Sequence, residues 1–195
     1  MMKLIAVNAS PHRDGGCAKL LSAVCAGASD AGYEIIRYDL NDMNLRGCQG
    51  CGVCKREHVD CVLEDDLRPY WRQLHEADAL AVAAPNHCSL VNGTFLNYMA
   101  RHYCLLTPQC RLHPGVQLIG CFSQGREDPE IYRDHYDLIL KDFENRDMVR
   151  HAMLVYSPRM TQERQARILE RAREAGRTLR QGDGVAGESS KGKVE

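Results

Sequence analysis

Four cysteines lie close together in one short segment of the chain, with the spacing C-x2-C-x2-C-x6-C. Thiolates are the soft ligands that zinc and iron-sulfur clusters prefer, and a ligand at every third residue lets a curved loop surround one compact inorganic core. Zinc sites more often use two C-x2-C pairs separated by a longer segment, so this spacing favours an iron-sulfur cluster. The candidate metal ligands are Cys48, Cys51, Cys54 and Cys61.

Other interpretations of these cysteines stay open. Neighbouring cysteines could form a C-x2-C redox pair, and all four could instead hold a structural zinc. In the two-cluster ferredoxin run the fourth cysteine serves a second cluster. This chain has no second run, so Cys61 would have to close the same core.

Composition limits the classes of function. The chain has 195 residues, of which 44% are hydrophobic, and a formal net charge of -1, so we expect one domain over residues 1–180 and no binding to nucleic acid or membranes. The first apolar run is too short for a secretion signal, and we expect a cytoplasmic protein. Ten cysteines in such a chain favour metal or redox chemistry over disulfides. Residues 181–195 are predicted to form a disordered tail.

Apolar runs that alternate with helical periodicity predict an α/β fold. The predicted strands are residues 4–8, 34–39, 79–84, 116–122 and 152–156, and the predicted helices are 16–31, 66–76, 93–104, 129–143 and 161–179. This alternation indicates a parallel sheet covered by helices on both faces. Five short strands favour a flavodoxin-like three-layer sandwich with strand order 2-1-3-4-5, whose ligand lies beyond the carboxyl ends of strands one and three.

The loop after the first strand is a candidate phosphate site. It is polar and contains glycine, and it leads into the first helix, so that backbone N–H groups, a hydroxyl and the positive helix end can face a phosphate. An ordinary helix-capping turn is the alternative. The chain has neither G-x-G-x-x-G nor G-x4-G-K-[ST], so a dinucleotide fingerprint and nucleotide hydrolysis are not supported.

The loop after the third strand carries a family resemblance. Residues 84–101 read APNHCSLVNGTFLNYMAR. This segment resembles the NADPH-dependent FMN reductase family, with a proline, several polar residues, a glycine at the helix start and an arginine further along the helix. The loop after strand one is similar to the same family's Ser-Pro-Arg-x-x-Gly-x-Thr phosphate loop. Together with the cysteines, the chain up to about residue 156 resembles the iron-sulfur flavoproteins, a branch of that family.

The resemblance implies an FMN site made of three loops. The FMN phosphate would be surrounded by Ser10, His12, Gly15, Gly16, Cys17 and Ala18. The isoalloxazine would be lined by Pro85, Asn86, His87, Cys88, Ser89, Leu90 and Val91. A third loop, Ser123, Gln124 and Gly125, would close over the other edge of the ring. His87 would stack beside the flavin or donate toward N1, or else cap the nearby helix.

Two positions depart from the family pattern. His12 stands where the family usually has arginine, and Cys17 where it usually has threonine or serine, so a permanent charge and a hydroxyl donor are lost. We therefore expect the phosphate to depend on backbone amides and on the end of the helix.

The implied function is electron transfer by an FMN-dependent oxidoreductase that carries a 4Fe-4S cluster and has no acid-base catalytic residue. Its redox partner would be NAD(P)H or a small redox protein such as ferredoxin, and the resemblance implies a homodimer or homotetramer. Two alternatives remain: a cluster-free NAD(P)H-dependent FMN or quinone reductase, and a zinc-stapled flavodoxin-like binding module without catalysis.

Overall fold

The computed structural model describes residues 1–179. The predicted tail at 181–195 therefore lies outside the described residues. The strands are β1 (Lys3–Asn8), β2 (Glu34–Asp39), β3 (Ala79–His87), β4 (Leu90–Val91), β5 (Gln117–Ser123) and β6 (Val149–Tyr156). The α-helices are α1 (Gly16–Asp30), α2 (Val53–Glu57), α3 (Tyr70–His75), α4 (Gly93–Arg101), α5 (Arg133–Glu144) and α6 (Gln162–Arg177).

The sheet confirms the predicted flavodoxin-like topology. Its parallel strands lie in the order β2-β1-β3-β5-β6, and β4 adds only a short antiparallel pair at the end of β3. The predicted order 2-1-3-4-5 is the same arrangement once β4 is left out of the numbering. The first seven residues of β3 are all buried, as expected for a central strand that is covered on both faces.

Two apolar cores fill the space between the sheet and its helices. One core lies on the side of α1 and α6 and contains Leu20, Leu21 and Ala172. The other lies on the side of α3, α4 and α5 and contains Trp71 and Phe95. Helices α1 and α5 thus lie on opposite faces of the sheet, as in a three-layer sandwich.

Besides shifted ends at several elements, such as α5, which begins at Arg133 and not at 129, the structure differs from the predicted elements as follows. The second predicted helix, 66–76, is shorter and begins only after Pro69. Helix α2, inside the cysteine segment, was not predicted because it is a single turn with no buried residue and so has no apolar periodicity. Strand β4 was missed because two residues are too few to show alternation. Among the described residues, no helix is long and apolar enough to cross a membrane.

Candidate functional site

The start of α1 offers an uncapped helix N-terminus beyond the carboxyl end of β1. Gly15 precedes the helix and provides no side-chain cap, and the first turn has no acidic residue. The first N–H groups of a helix have no partner inside the helix, so they can bind an anion. Ser10 lies beside this turn and is 7% exposed, and its hydroxyl accepts a hydrogen bond from the His12 N–H at 3.2 Å.

Three asparagines hold this loop in place. Asn8 Oδ1 accepts from the Ser10 N–H at 3.0 Å. The Nδ2 atoms of Asn41 and Asn92 each donate to the Ala9 carbonyl at 2.7 Å. Asn92 also caps α4, because its Oδ1 accepts from Phe95 N–H.

The roles of these asparagines were not predicted from the sequence. The position of Asn92 directly before a helix was an available signal for that residue. Asn41 had none, because it lies in a single 3-10 turn after β2, at Leu40–Asp42, which is too short to show periodicity. Because Asn92 caps α4, the helix-capping interpretation of His87 is wrong.

Gly16 brings two of the three loops into contact. A Cβ atom at this position would lie 2.5 Å from Tyr156 Cδ1 and would overlap the Ser123 hydroxyl. Cys17 follows with its side chain in the core, 1% exposed, where burial raises the pKa of the thiol to about 12. The thiol of Cys17 therefore packs against the sheet, and its backbone N–H belongs to the first turn of α1.

The loop after β3 is a tight hairpin. Asn86 pairs with Val91 and His87 with Leu90. The two residues between them, Cys88 and Ser89, have φ values of 53° and 68°. Positive φ at both central positions is the geometry of a type I′ turn, which Asn-Gly usually occupies.

The hairpin combines an exposed tip with a buried base. Residues 87–90 are exposed, whereas Pro85 and Val91 are buried, and the Val91 N–H donates to His135 Nε2 at 3.2 Å. The Asn86 Nδ2 is buried and lacks a well-formed hydrogen bond, although it lies near the Tyr136 hydroxyl. A buried amide without a well-formed hydrogen bond is suited to donate to a carbonyl of a bound ligand.

The third loop is braced internally by Gln124, which is 2% exposed. Its Nε2 donates to the Asp128 carbonyl at 2.7 Å and its Oε1 accepts from the Tyr136 hydroxyl at 2.9 Å. Gly125 is exposed, with open space beside its Cα. The Gln124 side chain thus fixes the shape of the loop and leaves Ser123 beside the start of α1.

The cysteine segment folds so that all four predicted ligands line one pocket. Its enclosed volume is about 20 Å³, or about 360 Å³ with its open mouth included. The backbone turns sharply there, because Gly50, Gly52 and His58 all have positive φ. The lining includes Cys48, Cys51, Cys54, Cys61, Arg101, Tyr103 and Cys104.

Arg101, at the end of α4, ties the pocket together. Its Nε donates to Cys61 Sγ at 3.1 Å and its Nη1 donates to the Arg46 carbonyl at 2.9 Å. Nη1 also forms an ion pair with Asp65, and the two side chains are 0% and 2% exposed. Burial alone would raise the pKa of Asp65, but the bonds from Arg101 and from backbone N–H groups hold it below its ordinary value.

Comparison with known proteins places the chain in a family. The family model of NADPH-dependent FMN reductase matches residues 2–118, which is more than half of the chain. The chain belongs to this family. The resemblance predicted from the two loops is thereby confirmed.

The curated relatives of this FMN reductase family member include iron-sulfur flavoproteins. The chain is 30% identical over 84 residues to one from Methanosarcina thermophila, a match that covers 43% of this chain and 44% of the relative. It is 30% identical over 100 residues to one from Archaeoglobus fulgidus, covering 51% of this chain and 45% of the relative. Each match thus spans about half the length of the curated relative or less.

Similar solved structures support the fold. An NAD(P)H:quinone oxidoreductase from Methanothermobacter marburgensis aligns with a TM-score of 0.72 and 22% identity, covering 93% of this chain and 97% of the other. An azoreductase from Bacillus anthracis str. Sterne aligns with a TM-score of 0.71 and 15% identity, covering 91% and 99%. At these identities the alignments show a shared fold.

The cysteine pocket of this FMN reductase family member has the donors that an iron-sulfur cluster requires. Two sulfurs accept hydrogen bonds, Cys61 from Arg101 and Cys48 from the Gly50 N–H at 3.5 Å. Among the described residues, however, no three His, Cys, Asp or Glu side chains are grouped as ligands of a single metal ion. Thiol donors that share a pocket with N–H groups and a buried cation are suited to an anionic sulfur-containing core.

Proposed function

We propose that this chain is an FMN-dependent oxidoreductase with a 4Fe-4S cluster bound by Cys48, Cys51, Cys54 and Cys61. Helix α4 is the observation that carries the proposal. At its start, Asn92 binds the Ala9 carbonyl of the phosphate loop, and at its end Arg101 binds Cys61. A helix of nine residues spans about 13 Å, so one short rigid element joins the two candidate cofactor sites.

For FMN, the proposal gives each loop a separate task. The N–H groups at the start of α1, with the Ser10 hydroxyl, bind the phosphate as an anion at a helix N-terminus. Asn86 donates its buried Nδ2–H to a carbonyl of the ring, and the hairpin tip at residues 87–90 covers one face of it. Ser123 lies against Gly16 and closes the other edge. His12, being exposed, is free to turn toward the phosphate.

For the cluster, the proposal gives the cysteine loop a binding task and Arg101 a supporting one. FMN supplies two-electron chemistry and a 4Fe-4S cluster supplies single electrons, so a chain that holds both can connect a pair donor such as NAD(P)H to a one-electron carrier such as ferredoxin. The residues position the cofactors and exclude water, and none is required as an acid or base. Assembly as a homodimer or homotetramer stays a prediction.

The second candidate is a cluster-free NAD(P)H-dependent FMN or quinone reductase. The observation that favours it is the small enclosed volume of the cysteine pocket, about 20 Å³, in which the thiols do not surround a metal position. In that case the cysteine loop would be structural, and Arg101 would serve only to hold it. A zinc-stapled module is the third possibility.

Anaerobic purification followed by analysis of FMN, iron, acid-labile sulfide and zinc tests the proposal. We expect about one FMN, four irons and four sulfides per chain. Cys51→Ser should lose iron and sulfide and keep FMN, whereas the control Cys25→Ser should keep all three, because Cys25 lies on α1 away from the pocket. FMN without iron in the parent protein would support the cluster-free reductase, and zinc without sulfide would support the zinc-stapled module.

A further inference from the structure

Arg101 has hydrogen-bond donors that no described group uses. An arginine side chain has five N–H groups. The Nε–H donates to Cys61 Sγ, and the two Nη1–H groups serve the Arg46 carbonyl and Asp65. The Nη2 atom is buried and has no acceptor. Two donors of a buried cation therefore face surroundings that offer them no partner.

The neighbouring protein groups do not supply an acceptor for Nη2. Asp65 is already shared, since its oxygens accept from Arg101, from the Arg46 N–H at 3.2 Å and from the Leu67 N–H at 3.2 Å. Apart from Arg101, the pocket is lined by five cysteines, two glycines, Gln49, Val62, Leu63 and Tyr103, and none of these side chains is a carboxylate. A buried charged donor without an acceptor is costly, so native proteins rarely keep one without a reason.

We infer that Arg101 donates its free Nη2–H groups to the anionic sulfur-containing core held by the four cysteines, and thereby raises the reduction potential of that core. This inference rests on the proposed cluster. Arg101 is then a positioning residue for Cys61 and a charge partner of the core. Reduction adds a negative charge, which a nearby guanidinium and its hydrogen bonds stabilise, so potentials rise with such donors.

Variants at the ion pair separate this role from a structural one. Asp65→Asn keeps Arg101 and removes the opposing charge. The double variant Arg101→Met with Asp65→Asn removes both charges together, which avoids leaving a buried unpaired carboxylate. Arg101→Lys keeps the charge and loses the planar set of donors. The readouts are iron and sulfide per chain, the cluster reduction potential and the rate of iron loss to a chelator.

We expect Asp65→Asn to raise the potential and the double variant to lower it below that of Asp65→Asn. The double variant should also lose iron about 10–100-fold faster than Asp65→Asn. Arg101→Lys should have a potential below that of the parent, because lysine keeps the charge but loses the planar set of donors. If the double variant takes up no iron, the potential of Arg101→Lys, compared with that of the parent, tests the inference.

If the potential of Arg101→Lys equals that of the parent, and that of the double variant equals that of Asp65→Asn, with only the melting temperature lowered, the inference is overturned and the cluster stays in place. A parent protein that contains FMN without iron and sulfide would overturn the cluster and the inference together. The analysis of the parent therefore distinguishes the two failures.

Discussion

The phosphate loop and the cysteine loop are anchored by different kinds of interaction. Neutral amides hold the base of the phosphate loop, through Asn41 and Asn92 at the Ala9 carbonyl, and the ion pair of Arg13 with Asp42 on this loop is exposed. Guanidinium groups hold the cysteine loop, where Arg56 binds the Cys51 carbonyl at 3.0 Å and Arg101 is ion-paired with Asp65. The phosphate loop is positioned by its place at the edge of the sheet. The position of the cysteine loop depends on an ion pair that is buried beneath it.

The difference predicts that the two loops fail under different conditions. A loop held by neutral hydrogen bonds loses little when one bond is removed. A loop held by a buried ion pair loses much when one partner is removed, because the other charge is left uncompensated.

Removal of the Asp65 carboxylate should give the largest effect. Asp65→Ala leaves the buried Arg101 guanidinium unpaired, so we expect the free energy of unfolding of the metal-free protein to fall by about 3–5 kcal/mol. Urea denaturation measures this change. The control Asp66→Ala removes an exposed carboxylate that accepts from the Asn44 N–H, and should cost about 1 kcal/mol. Equal losses in the two variants would mean that the buried pair does not anchor the loop.

The phosphate loop should show a smaller effect, confined to ligand binding. Ser10→Ala removes one hydroxyl donor to a charged phosphate, worth about 1.5–3 kcal/mol, or roughly ten- to a hundredfold in FMN affinity. Fluorescence titration of the apoprotein with FMN measures it, with the exposed Ser22→Ala on α1 as the control. Affinity that is the same in both variants would remove Ser10 from the phosphate site.

Acid should destabilise the side of the sheet that carries the cysteine loop. His102 is fully buried, where its Nε2 lies 2.8 Å from the Tyr70 hydroxyl and its Nδ1 lies 3.1 Å from the Tyr98 carbonyl. Burial, followed by the charge of Arg146, lowers the pKa of His102 to about 3. Neutral His102 is thus required by the fold and protonates readily only in the unfolded chain.

Neutral His102 makes its full contribution to the free energy of unfolding above pH 6.5, the pKa of an unperturbed histidine. This contribution is lost as the pH falls toward 3. We expect the free energy of unfolding to fall by about 2 kcal/mol between pH 7.5 and 5. His102→Gln, which does not titrate, should flatten this dependence in urea denaturation. A parent and a variant with the same slope would assign the acid sensitivity to other groups, such as His135, whose pKa is also lowered by burial.

The smallest expected effect concerns the strained turn of the hairpin formed by β3 and β4. Cys88 has a φ of 53°, which costs an ordinary residue about 1–2 kcal/mol and asparagine less. Cys88→Asn should therefore raise the free energy of unfolding by about 0.5–1 kcal/mol, whereas Cys88→Ala should give no gain. Thermal denaturation of the apoprotein compares the two. A loss of stability in Cys88→Asn would show that the cysteine side chain itself supports the turn.

The sequence predicted the fold well because the periodicities of the strands and helices follow directly from burial. Each main strand was predicted, and the order of the sheet followed from their alternation. The positions of the loops after β1 and β3 followed in turn, since loops after parallel strands meet at one sheet edge; their phosphate and flavin roles stay predictions. What the alternation could not show was the one-turn helix α2, because nothing in it is buried.

The contacts that hold the cysteine loop could not be predicted from the sequence. Spacing identified four of the five cysteines that line the pocket. It gave no sign that Arg101 reaches Asp65, which lies 36 residues earlier in the chain, or that this pair is buried. An arginine at the end of an amphipathic helix is usually solvated, so long-range pairing of this kind becomes visible only in the folded chain.

A reductive titration of the anaerobically purified protein tests the central claim most directly, because it counts the electrons that one chain accepts. FMN accepts two electrons and a 4Fe-4S cluster one, so a chain that holds both at the two ends of α4 should accept about three. Cys51→Ser should accept about two and keep the flavin spectrum. A parent protein that accepts only two electrons per bound FMN, the same as Cys51→Ser, would contradict the claim that the cysteine loop holds a second redox centre.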